Sequence, residues 1–579
     1  MLNIISNNST TYHIVGHNFS DDCERFAASE LQKYIYQSTD TFVPYFSDRC
    51  QKRGGEIVIG AKTRDFYKKL PEGMLSSLGD EGFLIKTIGE DLLITGNTSR
   101  GTLYGVYTFL EKFMGFRAFT KDVEKISSLS SLSLDETEIT QKPAFEYREA
   151  YFRFAFNGEF CAKNKLNGTL ADISREKGGN FKFFNCHHSF EDLVPPNKYF
   201  EKHPEYYAEI DGVRKPTQLC LSNPEVLEIA KKQVRKWIKE NPHCRVFSVA
   251  QSDNDEYCRC EKCSKIDEYE ESPAGSVISF VNKIAEDIEA DYPDVLIHTF
   301  AYLYSKKAPK HIVPHKNIIV RLCNIECDWG KPFEEEAKIN PDSQCAGFLQ
   351  NICDWSKICN HLYIWDYAVN FANYAQPFPI FEQMAENIRA YHRHGINGVL
   401  EQGNFSYGGG VAMDDLKSYL IAKLLWNPDI DLWQTIDEFC DGVYGKGSDY
   451  IKEYLRLISS AAKGHIVRLY DYPDAPYITD ELVKKCDDLF VQAQKAAENS
   501  EVLKRIEREH LSIEYLIATR TEDYKKRCAL VDEFAKKIKH FKITELMERR
   551  NLNQSFTWMK NSLYTRERPE EYNVYYIVR

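Results

Sequence analysis

Acidic side chains recur at the ends of short apolar runs along the middle of this chain. Asp253, Asp255 and Glu256 lie within Gln251-Ser252-Asp253-Asn254-Asp255-Glu256, Glu326 follows a later run, Asp366 lies within Trp365-Asp366-Tyr367, and Glu401 precedes Gln402. Aromatic and imidazole groups sit at comparable places, with His187-His188 after one run and Tyr302 and Tyr304 after another. Carboxylates interleaved with Trp and Tyr suit hydrolysis of a glycosidic bond. One acid protonates the departing oxygen, a second carboxylate attacks or stabilises the oxocarbenium-like centre, and aromatic rings stack on sugar faces. Any one of these acids is equally explained as a helix cap or an arginine partner; their recurrence points to one site. His188 and Arg148 read as sugar hydrogen-bonders or, more plainly, as packing and buried ion-pair residues.

A second cluster has different chemistry. Cys258, Cys260 and Cys263 form Cys-x-Cys-x-x-Cys, and Cys220 ends an earlier run, so these thiolates could close a tetrahedral zinc site that braces the following loop. The twin Cys-x-x-Cys spacing of such sites is matched only in part, which leaves a disulfide or plain buried thiols open. Such a zinc would be structural, and no cofactor is expected in the reaction. The acidic stretch at Asp253 lacks the turn glycine and distal glutamate of an EF-hand calcium loop. Gly408-Gly409-Gly410 matches neither a Walker loop nor a dinucleotide fingerprint and reads as a flexible rim loop.

The elements that must carry these groups follow from periodicity. β-like runs at 147–152, 181–187, 218–222, 246–253, 295–302, 318–326, 362–367 and 398–402 alternate with amphipathic helix patterns, notably at 224–240, 274–290, 380–394 and 412–425. Eight such runs predict a (β/α)8 TIM-type barrel over 141–430, whose chemistry gathers at the C-terminal ends of its strands. That is where the acids fall. Before it, residues 1–140 mix short strands with helices near 23–35 and 102–113, a small α/β accessory domain ending at the Ser- and Leu-rich stretch before Lys142-Pro143. After it, 431–579 carries charged helices with apolar residues at helical spacing, such as Leu503, Ile506 and Leu511, which predicts a helical C-terminal domain.

Composition narrows the partners. The chain has 579 residues, 43% hydrophobic and 13% aromatic, enough for several cores. Its net charge of -12 comes with scattered basic residues, which argues against nucleic acid or an anionic membrane and fits a neutral or cationic small ligand. No window reaches the roughly 18 apolar residues of a membrane span, and residues 1–12 lack the basic flank and apolar run of a signal peptide. Seventeen cysteines, spread from Cys23 to Cys528, read as mostly free thiols in a reducing cytoplasm, with an extracytoplasmic setting open if Met1 replaced a signal peptide. An oligosaccharide is the expected partner, and the C-terminal helices leave room for a homo-oligomer.

Longer blocks carry a resemblance. Asn185-Cys186-His187-His188-Ser189-Phe190, Leu193-Val194-Pro195-Pro196, His203-Pro204-Glu205-Tyr206-Tyr207 and Gln218-Leu219-Cys220-Leu221-Ser222-Asn223-Pro224 resemble motifs of the DUF4838 family. So do Arg321-Leu322-Cys323-Asn324-Ile325-Glu326-Cys327, Trp365-Asp366-Tyr367 with Asn370-Phe371, and Gly398-Val399-Leu400-Glu401-Gln402-Gly403, over roughly 147–445 in all. That family looks like the source of glycoside hydrolase family 163, and the resemblance implies endo-β-N-acetylglucosaminidase action on an N-glycan-type substrate. Arg100-Gly101-Thr102-Leu103-Tyr104-Gly105 is similar to the accessory domain of β-hexosaminidases and α-glucuronidases, and Leu425-Trp426-Asn427-Pro428 to an α-glucuronidase motif. Glu256 stands where many relatives have Gly, although Asp255-Glu256 mimics the Asp-Glu pair of β-hexosaminidases.

The reaction so implied is retaining hydrolysis of a β-linked N-acetylhexosamine. The substrate acetamido oxygen attacks C1, Asp253 or Asp255 stabilises the charged nitrogen, and Glu326 or Glu401 serves as acid and base. Glu326, flanked by Cys323, Ile325, Cys327 and Trp329, is the preferred acid because its setting reads as poorly solvated. Arg148, His188, Tyr302, Trp365, Asp366, Tyr367 and Asn370 are the expected sugar contacts. The alternatives are an inverting α-glucuronidase-like hydrolase, with Asp366 and Glu401 activating water across a gap of about 6.5–9.5 Å, and a carbohydrate-binding protein without catalysis.

Overall fold

Apolar strand sequences and well-capped helices build two units in the computed structural model, which describes residues 1–408 and 410–561. The first unit comprises 1–144, 154–180 and 415–448. Its strands β1 (His13–Gly16), β2 (Tyr45–Ser47), β3 (Glu56–Ile59), β4 (Phe83–Ile88), β5 (Asp91–Gly96) and β6 (Glu138–Gln141) form one mixed sheet in the order β6-β4-β5-β3-β1-β2. Strand β3, Glu-Ile-Val-Ile, is buried along its whole length, as β-branched residues covered on both faces should be. Helix α1 (Asp22–Thr39) starts at Asp21, whose carboxylate accepts from the Glu24 N–H, and α2 (Ser99–Met114) starts at Thr98 and stops at Gly115 in the left-handed conformation. A Cβ at Gly101 would stand 2.3 Å from the Gly82 carbonyl oxygen, so the backbone needs glycine there to bring α2 onto the sheet. Trp426, the last residue of helix Asp414–Trp426, stacks on Phe83 at 6.0 Å.

The second unit, 145–153, 181–414 and 449 onward, holds the acids. Its strands are β7 (Tyr147–Tyr151), β8 (Phe183–Phe184), β9 (Tyr207–Ile210), β10 (Val213–Leu219), β11 (Val246–Ser248), β12 (Leu296–Ala301), β13 (Ile318–Cys323), β14 (His361–Tyr367) and β15 (Gly398–Gln402). Seven of them form a parallel sheet in the order β7-β15-β14-β13-β12-β11-β8. Helices α3 (Pro224–Glu240), α4 (Ala274–Glu289), α5 (Gln344–Ile358) and α6 (Phe381–Arg393) lie on crossovers between these strands. The sheet curls until the rings of Tyr147 and Phe183, on its two end strands, lie 5.1 Å apart.

Eight parallel strands were expected, and among the described residues the sheet has seven. The run 218–222 lies where β10 ends, and β10 pairs antiparallel with β9 in a separate hairpin. Asp211 and Gly212, with φ of 51° and 78°, make the tight turn between them. An Asp-Gly pair between two β-like runs is a strong hairpin signal. The C-terminal region is helical as expected, with helices Ser448–Ala462, Asp480–Ala496, Ser500–Arg520, Tyr524–His540 and Leu552–Asn561. Two irregular stretches between them reach back to the loops beyond the sheet: the N–H groups of Trp329, Phe371 and Tyr374 donate to the carbonyls of Val467 (2.8 Å), Leu469 (2.6 Å) and Leu546 (2.7 Å).

Candidate active site

Side chains alternate between the two faces of a strand, and this decides which of the candidates meet. On β14, Tyr363 and Trp365 face the concave side, their rings 5.9 and 5.7 Å from the Arg321 guanidinium on β13. The same guanidinium covers Tyr147 and Phe183 at 5.4 and 4.9 Å, so Arg321 fills the interior among aromatic rings. Trp365 donates its indole N–H to Gln402 Oε1 at 2.8 Å, which fixes the ring beside Phe300 (5.8 Å), His187 (5.7 Å) and Tyr151 (6.1 Å). Burial, and next the Arg321 charge, draw His187 down to about 4, so it is neutral at neutral pH. Its Nε2 lies 3.1 Å from the Tyr151 hydroxyl.

Asp366 points the other way. It accepts hydrogen bonds from Tyr391 of α6 at 2.6 Å and from Asn324 at 2.7 Å, and its in-register neighbour on β15 is Glu401. Both are buried on the helix-covered face, and among the described residues neither oxygen of Glu401 has a hydrogen-bond partner. Burial, followed by the Asp366 charge, pushes the Glu401 carboxyl well above the carboxylate range; burial also raises Asp366, against the hydrogen bonds from Tyr391 and Asn324. Each carboxyl disfavours the charged form of the other. Two acids expected to flank a sugar therefore lie behind the sheet.

The fold binds a proton at Glu401 that the unfolded chain releases above about pH 4.5, so this group costs stability as pH rises from there toward its folded value. Glu401→Gln is expected to raise stability in urea unfolding at about pH 7.5 and to change it little at about pH 4.5. Equal or lower stability at the higher pH would show the carboxylate to be charged and compensated.

On the concave side, at the C-terminal edge, Asp253 is an acid within reach of solvent. Tyr302 donates to its Oδ1 at 3.2 Å, His188 Nε2 lies 3.8 Å from the same oxygen, and 50% of the side chain is exposed. His188 Nδ1 bonds the Gln251 carbonyl, which leaves Nε2 toward Asp253. Burial, helped by the Asp253 charge, raises the Tyr302 hydroxyl and keeps it a donor. Tyr302 and Tyr367 both feel the charge of Glu326. Glu326 pairs with Lys306 at 3.2 Å and keeps 31% of its side chain exposed. Its apolar flanks suggest a desolvated acid, but Cys323, Cys327 and Trp329 turn into the core while the glutamate reaches the rim.

The remaining candidates disperse. Asp255 is exposed and its charge is felt at Tyr304, which stacks on Tyr257 at 4.8 Å, and Glu256 pairs with Lys215 at 2.8 Å. Arg148, expected at the sugar, is buried near the N-terminal end of β7 and donates to the Phe145 carbonyl at 2.7 Å. Asn370 uses its amide on backbone, donating to the Asp471 carbonyl and accepting from the Ala372 N–H, each at 2.8 Å. Gly409 of the expected rim loop lies outside the described residues. Gly408 has φ 88°, and a Cβ there would stand 1.7 Å from the Lys542 carbonyl oxygen, so this loop abuts the C-terminal region.

That region supplies what sequence reasoning missed. Tyr470, its ring 5.6 Å from Phe371, and Glu548 join the concave rim from the irregular stretches. Burial pushes the Glu548 carboxyl up; Arg549 opposes this, and the charges of Asp253 and Glu545 add to it. Tyr470 and Tyr151 respond to the Glu548 charge in turn. Met547-Glu548-Arg549 follows no strand and has no periodicity, so no sequence signal marks it.

A curled parallel sheet that gathers acids and aromatic rings at its C-terminal edge can serve many chemistries, glycoside hydrolysis among them. The chain belongs to the DUF4838 family, a domain of unknown function whose model matches residues 118–456. Residues 6–109 match the model of the glycosyl hydrolase family 67 N-terminus. Among solved structures, the fold is similar to that of a GH115 4-O-methyl-α-glucuronidase with specificity for decorated arabinogalactans, with TM-score 0.57 and 10% identity over 96% of this chain and 78% of that one. A GH138 enzyme targeting pectin rhamnogalacturonan II aligns with TM-score 0.49 and 11% identity over 96% of this chain and 79% of that one. No curated protein matches by sequence. The N-terminal match is confined to residues 6–109, and the likeness to the GH115 enzyme is one of fold.

Proposed function

We propose that the protein hydrolyses a β-linked N-acetylhexosamine in a glycan of the N-glycan type, in the manner of glycoside hydrolase family 163. Retention follows from attack by the substrate acetamido oxygen on C1. The observation that carries the catalytic part is the half-exposed carboxylate of Asp253, which accepts from Tyr302 and whose charge is felt at Tyr470. Asp253 stabilises the charged acetamido nitrogen as the ring oxygen and C1 take up positive charge. Glu548, kept toward its protonated form by burial, gives its proton to the departing oxygen and later takes one from water. Glu326, held by Lys306, serves as a hydroxyl-binding group.

A second reading, an α-glucuronide, has its own support in the family 67 N-terminal match and the glucuronidase fold. It requires a cation for the uronate, and Lys306 stands at the rim. Purified protein incubated with aryl β-N-acetylglucosaminides, aryl α-glucuronides and a released N-glycan mixture separates the two. Release from the amino-sugar substrates alone is the expected result; release from glucuronides alone would replace the first reading with the second.

A further inference from the structure

Cys220, one residue beyond β10, and Cys258, Cys260 and Cys263, in the loop and first helical turn beyond β11, meet as four buried thiols. All four sulfur atoms lie within 4.8 Å of one another, and those of Cys220 and Cys260 are 3.7 Å apart. A disulfide needs one pair at about 2.05 Å. Tetrahedral zinc with Zn–S bonds of about 2.3 Å needs every sulfur pair near about 3.8 Å. Mutual approach of four sulfurs fits the second geometry. The surroundings suit thiolates as well: the Glu209 N–H donates to Cys258 Sγ at 3.3 Å, Arg214 reaches the same sulfur at 3.8 Å, and Ala208 and Ile210 keep the cluster apolar.

We propose that Cys220, Cys258, Cys260 and Cys263 bind one structural zinc ion that fastens the hairpin β9–β10 to the loop bearing Asp253. Binding replaces four thiol protons by one divalent cation, and the resulting net negative charge is offset in part by Arg214 and the Glu209 amide. A closed four-thiolate shell has no open position for water, so the ion has no hydrolytic role. Gln218, two residues before Cys220, transmits the hold. Its Nε2 donates to the carbonyls of Ser252 (2.8 Å) and Asn254 (3.1 Å), and its Oε1 accepts from the Ser252 N–H (3.0 Å), so it grips the chain on both sides of Asp253. Zinc binding stands apart from the hydrolase reading; only the consequence for Asp253 rests on it.

The test is elemental analysis of the full chain, purified without a metal column from zinc-supplied culture. About one zinc per chain is expected. Cys263→Ser and Cys220→Ser should each lose it, while Cys50→Ser, an exposed thiol in the other unit, keeps it. Should the cysteine variants fail to fold, wild-type protein stripped by a chelator under reducing conditions and reloaded with Co(II) must show thiolate-to-cobalt charge transfer and tetrahedral ligand-field bands. Metal-free wild type that takes up no Co(II), or a non-reducing mass lower by the hydrogens of a disulfide among these cysteines, overturns the proposal. Iron at the same stoichiometry overturns the choice of zinc.

Discussion

Asp253→Asn is expected to lower kcat/KM on the best glycoside substrate by about a thousandfold while leaving the fold intact. The substitution keeps the size of the side chain and an oxygen for the Tyr302 hydroxyl, which donates at 3.2 Å in the wild type, while it removes the charge and turns the other oxygen into an NH2 donor. That charge is what the reaction needs, because positive charge develops at C1 and on the acetamido nitrogen and is weak in the bound substrate. Loss of an interaction made chiefly in the transition state lowers kcat and kcat/KM together. A rise in KM with unchanged kcat would instead assign Asp253 to sugar binding. Half exposed, the side chain contributes little to stability, so circular dichroism and the melting temperature should match those of wild type.

Glu548→Gln is expected to act selectively on the leaving group. With a natural glycan, whose departing alkoxide is a poor leaving group, turnover should fall by about a hundredfold or more; with an activated aryl glycoside it should fall far less, because that group departs with little protonation. The basis is the position of Glu548 on the concave rim, where burial raises its carboxyl and the Asp253 charge adds to the effect despite Arg549. The alkaline limb of the pH–rate profile offers a second readout, since the proposed acid acts in its protonated form and a raised Glu548 carboxyl extends activity upward in pH. Equal losses on both substrates would remove Glu548 from the acid role. Selective loss in Glu326→Gln would transfer that role to Glu326.

The strands that carry the site were legible from sequence because buried parallel strands announce themselves as apolar runs between helix-period segments, as at Ile318–Cys323 and Gly398–Gln402. The hairpin Tyr207–Ile210 and Val213–Leu219 was equally written, in Asp211-Gly212, and was obscured by a count that needed eight strands. Which face an acid takes was not legible. Asp366 and Glu401 stand within an apolar context that suits either face, and only the contact of Tyr363 and Trp365 with Arg321 fixes the parity. Glu548 lay beyond reach for another reason: backbone pairing of Leu469 and Leu546 with Phe371 and Tyr374 brings it in from more than a hundred residues away in sequence. The cysteine cluster was half legible, since spacing named the residues and the fold of the hairpin brought the fourth sulfur to the other three.

The proposed hydrolysis belongs to the concave rim at Asp253 and not to the buried pair Asp366–Glu401. One side-by-side measurement of kcat/KM for Asp253→Asn and Glu401→Gln, on the glycoside that wild type cleaves best, addresses it directly. The concave-rim site predicts loss of nearly all activity in the first and retention of most of it in the second, whose side chain stays buried behind the sheet. Near-wild-type activity in Asp253→Asn together with an inactive but folded Glu401→Gln would contradict it.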